Sequence, residues 1–178
     1  AYVDEQLDPD SIDDKRATRA VRRFEAIHAP LAEMYEYKEE FLLEQMTRAT
    51  LVGATRSKRQ LFEMMVHFWS DHFNIDASKE ECRWLKAADD REVIRKHALG
   101  NFLEMVRASA LSPAMLWYLD GRENRKWNED EKPNENYARE LLELHTLGVD
   151  GGFSQKDVME VARCLSGWTV RGLERMLK

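Results

Sequence analysis

Residues 133–168 read PNENYARELLELHTLGVDGGFSQKDVMEVARCLSGW, and this stretch decides the fold class. Leu141, Leu144 and Leu147 recur at helical spacing, with Leu142 and His145 adjoining. Asn134 is placed to cap the start of this helix and Gly148 to stop it. A second helix opens at Ser154, whose partner three residues on, Asp157, makes a capping-box pair, and it is expected to run to about Ser166. The first of these helices also crowds Asn134, Glu135, Asn136, Arg139, Glu140, Glu143 and His145 into about three turns. So many polar groups on one short helix mark either a structural network or the lining of a cleft.

Outward from this stretch the pattern stays helical. Ser11 and Asp14 suggest a capped helix running to about His28, after an irregular segment over 1–10. Pro30 suits the first turn of a helix over 30–52, with Gly53 as its C-cap. Residues 57–73 form the most apolar helix, with Leu61, Met65, Phe68 and His72 on one face. A shorter helix over 79–88 is followed by a second box, Asp89 with Glu92. Gly100 breaks the chain before a helix to Leu111, and Pro113 restarts a short one that Gly121 ends. Residues 122–132 are charged and aperiodic, the one long loop, with Trp127 a candidate for surface recognition. No run alternates like a strand for more than four residues. The expected fold is all-α, a single domain over 1–178 of seven or eight helices, and the uncapped end at TVRGLERMLK suggests a piece of a longer chain.

Composition narrows the function classes. The 178 residues carry a net charge of −6 with 27 basic residues interspersed among 33 acidic ones, so no basic stripe points to nucleic acid. No apolar run approaches the ~18 residues of a transmembrane helix. Cys82 and Cys164 fit two free thiols better than one disulfide, since each sits among packing residues. Di-iron helical sites need two E-x-x-H units, and Glu25–His28 supplies only one. Glu63, His67 and Asp71 at four-residue spacing offer a weak two-ligand face. No metal ligand set and no cofactor is therefore assigned. The candidate catalytic residues are His72, Arg139, Glu140, Glu143 and His145. Trp69, Arg95, His97, Asn134, Glu135 and Asn136 are candidates for binding.

The segments FWSDHFNI (68–75), RKHALGNFLEMVRASALSPAMLWYLDG (95–121) and residues 134–168, together with EQLDPDSIDD (5–14), resemble the bacterial family called domain of unknown function 1800. The resemblance spans nearly the whole chain and carries onto the candidate residues above; Asp71 departs from the Asn more often found there. Members of that family are usually longer, are commonly exported, and are often encoded beside proteins of sulfatase-like fold. The resemblance thus implies a periplasmic or cell-surface location, a missing C-terminal half, and a protein partner, either that neighbour or the missing half. The family carries no assigned reaction. Two readings stay open: a scaffold or partner-binding domain with a buried, internally paired Arg/Glu/His/Asn cluster, or an enzyme with an acid/base, metal or haem site at the same cluster. The haem variant rests on a loose similarity of Phe68–Phe73 and Arg139–Glu140 to helical animal-type peroxidases.

Overall fold

A computed structural model describes residues 2–125 and 132–170. The fold is all-α, with no strand among the described residues. Trp127 and the last residues, 171–178, lie outside them. The chain divides into two compact units, residues 1–109 and 110–178.

The first unit opens with α1 (Tyr2–Leu7), where an irregular segment was expected. Gln6 is the reason: its buried amide donates to the Lys58 carbonyl at 3.0 Å and accepts from the Leu61 amide at 3.1 Å. A 3-10 turn (Pro9–Ser11) leads to α2 (Lys15–Val21), and another (Glu25–His28) to the short α3 (Leu31–Met34). Ser11 caps nothing here; its hydroxyl donates to the Asp8 carbonyl, while the Asp14 carboxylate accepts from the Ser57 hydroxyl and the Lys58 amide.

The helix expected over 30–52 is broken between α3 and α4 (Glu39–Arg56). Gly53 is not its end. It lies inside α4, where the Glu63 carboxylate occupies the space a Cβ would need, with Oε2 at 2.9 Å. A bare backbone there lets α5 (Gln60–His72) approach α4 closely. The face of α5 also differs from expectation: Val66 and, just past its end, Phe73 are buried, whereas Phe68 is 55% exposed. α6 (Cys82–Asp89) does not stop for a capping box at Asp89 but runs on into a π-helical turn, Asp90–Arg95. α7 (Phe102–Leu111) follows the break at Gly100, and the division between units falls in its last turn. The core of the first unit gathers Ala26, Ala29, Met34, Leu42 and Ala87, with Trp84 packed against it.

The second unit continues with α8 (Pro113–Tyr118), a 3-10 turn (Gly121–Glu123), α9 (Asn136–Glu140) with its π-helical continuation (Leu141–Thr146), and α10 (Gln155–Cys164). Ala138, Val158 and Ala162 form its small core, covered by Leu142, Phe153 and Leu165. Gly148, at φ +85°, takes the left-handed conformation that closes the π turn. The Ser154–Asp157 capping box at the start of α10 is formed in both directions, as expected.

Candidate functional site

In each unit a π-helical turn sets a polar group. In the first it makes a clamp. Asp90 and Arg95 are five residues apart, which on an α-helix would leave them about 140° apart around the axis. The i→i+5 winding of the π turn closes that gap. Arg95 Nε donates to Asp90 Oδ2 at 2.9 Å, and its two terminal nitrogens donate to the two oxygens of Glu63 at 3.2 Å each. This is a bidentate fork, with Glu63 14% and Arg95 29% exposed. Burial alone would lower the guanidinium pKa, but Asp90 and Glu63 more than reverse it, so the charge is held firmly.

Behind the clamp lies a cavity of about 240 Å³ between α4, α5 and α6. Asp89, buried in the last turn of α6, lines it, as does Lys86. The Lys86 ammonium donates to the Ile75 carbonyl at 2.5 Å, and burial lowers its pKa against the opposing pull of Asp89 and Asp90. At the rim His67 and Asp71 pair at 3.4 Å, both exposed. Glu63 and His67 thus serve different partners rather than one ligand face. Glu25 and His28 fall in a 3-10 turn. Among the described residues no group of three or more His, Cys, Asp or Glu side chains could hold a metal ion.

The remaining candidates of this unit gather at its aromatic surface. Trp69 donates its indole N–H to the Ala98 carbonyl at 3.0 Å and stacks on Phe102 at 5.6 Å. His72 packs edge-on against Trp69 at 5.5 Å and lies 6.2 Å from Phe102, while Phe68 touches both Trp69 and His72. His97 ends its helix, with its carbonyl accepting from the Gly100 amide at 2.8 Å.

In the second unit the structure brings together Glu135, Arg139 and Glu143, one helical turn apart. Arg139 donates to both glutamates and to Gln155 Oε1 at 2.8 Å, and Gln155 returns a hydrogen bond to Glu135. The Arg139 hydrogen bond lowers the Glu135 pKa. The network is internally paired, but it is not buried: Arg139 and Glu135 are 34% and 35% exposed. The helix buries Tyr137 and Ala138 instead, which turns Arg139 outward. Only the histidine of the expected buried cluster is inside. The π turn rotates His145 into the interior and Leu144 and Leu147 out to 59% and 56% exposure, undoing the expected leucine stripe. The asparagines act on the backbone. Asn134 donates its amide to Asn124 Oδ1 at 3.1 Å and accepts from the Asn136 amide at 3.0 Å. Asn136 donates to the Leu119 carbonyl at 3.0 Å. His72 belongs to the first unit; Arg139, Glu140, Glu143 and His145 belong to the second.

The sequence model of the family described as "Protein of unknown function (DUF1800)" matches residues 1–177. The chain belongs to this family. No curated protein and no solved structure matches it. In this DUF1800 member, sequence reasoning passed over Lys86, Asp90 and the buried Asn124, whose side chain donates to the Ala162 carbonyl at 2.7 Å. The five-residue interval of Asp90 and Arg95 was the available signal, but it means contact only in a π turn.

Proposed function

We propose that this DUF1800 chain is a partner-binding helical domain of an exported protein, and that it docks its partner on the aromatic surface of α5 and α7. One observation carries the reading: Phe68 and Phe102 stand 55% and 42% exposed around Trp69 and His72, with Phe73 buried beneath. Exposed aromatic groups held rigidly by packing are the usual anchors of protein interfaces. The family resemblance supplies the partner, a protein of sulfatase-like fold encoded nearby, and the location, periplasm or cell surface. The enzyme alternative at Arg139 and Glu140 draws less support, because the Arg139 donors are committed to Glu135, Glu143 and Gln155.

Calorimetry of the purified pair tests this. Wild type is expected to form a one-to-one complex, and Phe68→Glu and Phe102→Glu each to weaken it by about thirtyfold or more, as loss of an interface anchor does. A complex indifferent to both changes, or no complex, overturns the reading. Fractionation of native cells checks the location, and a purely cytoplasmic pool counts against it.

A further inference from the structure

The docking surface runs on along α5 past Phe68. The exposed residues of this helix are Met64, His67, Phe68 and Asp71, one stripe at the i, i+3, i+4, i+7 spacing of a single helix face. His67 and Asp71 pair with each other, so Met64 and Phe68, 67% and 55% exposed, supply the apolar part of that face. Resting on the docking reading above, we propose that Met64 is an oxidation site: its thioether belongs to the docking surface, and its conversion to the sulfoxide releases the partner.

Exposure singles this methionine out. Met34, Met105 and Met115 are at most 1% exposed, and Met46, Met65 and Met159 are half-buried. Met176 lies outside the described residues. An oxidant has to reach the sulfur, and a buried sulfur is reached only when the chain opens around it, so Met64 reacts first among the described methionines. The step balances with a peroxide as oxidant. A lone pair of the Met64 sulfur attacks one oxygen of hydrogen peroxide, the O–O bond breaks, and the departing hydroxide takes the proton from the transferred oxygen to leave as water. The sulfur is oxidised by two electrons and the peroxide is reduced by two.

Position decides what the product does. Oxidation of a core methionine puts a polar group among apolar neighbours and attacks the fold. The sulfoxide of Met64 stays in water in the free chain, so the fold is indifferent to it. Docking would strip that water from the new S=O acceptor, a cost the thioether never meets. The switch therefore acts on binding and spares stability.

Brief peroxide treatment tests this, followed by peptide mass mapping, melting curves and calorimetry against the partner. Met64 is expected to gain one oxygen before any other described methionine. The oxidised chain should keep its melting temperature and lose at least about tenfold in affinity. Met64→Leu should bind as untreated wild type does, before and after peroxide, and Met64→Gln should imitate the loss. By reciprocity, saturating partner should slow oxidation of Met64. The proposal is overturned by earlier oxidation of another described methionine, by a lowered melting temperature, or by a loss of affinity that persists in treated Met64→Leu. A complex that forms and ignores oxidation removes the switch alone and leaves the docking reading standing. Absence of any complex with untreated wild type removes both.

Discussion

Arg95 and Arg139 each sit between two carboxylates, and composition alone would rank them as equals. Their surroundings separate them. Arg95 presents a bidentate fork to Glu63 inside the first unit, where burial acts against the charge and two acids outweigh it. Arg139 joins Glu135 and Glu143 along a half-exposed helix face, where water competes for the donors. The same three charges therefore close a shielded clamp in one place and, in the other, bridge α9 to the start of α10 within reach of water. What differs is the backbone beneath: a π turn aligns Arg95 with Asp90, and Gly53 lets Glu63 lie against α4.

The hardest test of this contrast is Arg95→Ala. It strands Glu63 and Asp90 together without their cation. A fully buried pair broken this way costs roughly 3–5 kcal/mol; with Arg95 29% exposed, the loss should be about 2–4 kcal/mol. Urea unfolding of the variant measures it, and a loss under about 1 kcal/mol would put the clamp in the same class as a surface pair.

The two cysteines repeat the contrast. Both are free thiols, Cys82 buried in the first unit and Cys164 exposed in the second. Burial pushes the Cys82 thiol up from 9.0 to about 11. Between those values the unfolded chain has lost a proton that the folded chain keeps, so stability falls as pH rises through the window. The full effect is about 2–3 kcal/mol. Lys86 works in the opposite sense, because its lowered pKa makes the unfolded chain the better proton binder below 10.5. The Cys82→Ala chain compared with wild type isolates the thiol: its alkaline melting curve should lack this decline.

A smaller effect shows where the polar stability of the second unit does reside. Ser154→Ala removes the side chain that accepts from the Asp157 amide and should cost roughly 1 kcal/mol, read as a lowered melting temperature. That box was legible in the sequence because capping is local: a hydroxyl and a carboxylate three residues apart need nothing but their own helix start. The all-α class was legible for the same reason, resting on periods and breakers within single segments. Gly53 was misread as a helix end because the cause of its being glycine, the Glu63 carboxylate, lies ten residues ahead on another helix. The leucine stripe failed because a π turn shifts the phase of everything after Leu141, turning His145 in and Leu144 out. For the candidate site, the arginine–carboxylate chemistry was visible in Arg139 and its neighbours. Which arginine reaches a carboxylate shielded inside the fold was not, since that is decided by the packing of α4, α5 and α6 around Glu63.

Arg139→Ala should therefore leave the melting temperature almost unmoved, although the change removes three side-chain hydrogen bonds. A silent melt alone would be weak evidence, so a second observable is needed. Arg139 holds the Glu135 carboxyl below its usual value of 4.5, with help from Gln155. The sign follows: a carboxylate with a depressed folded pKa contributes stability above its unfolded pKa and loses it as pH falls through the folded one. Removing Arg139 should raise the Glu135 pKa toward 4.5 in a side-chain carboxyl NMR titration. Added salt should raise it part of the way in wild type, because exposed charges are screened. A shifted titration with an unshifted melt is the signature of a surface network. A melt that falls as far as that of Arg95→Ala would erase the distinction between the two arginines.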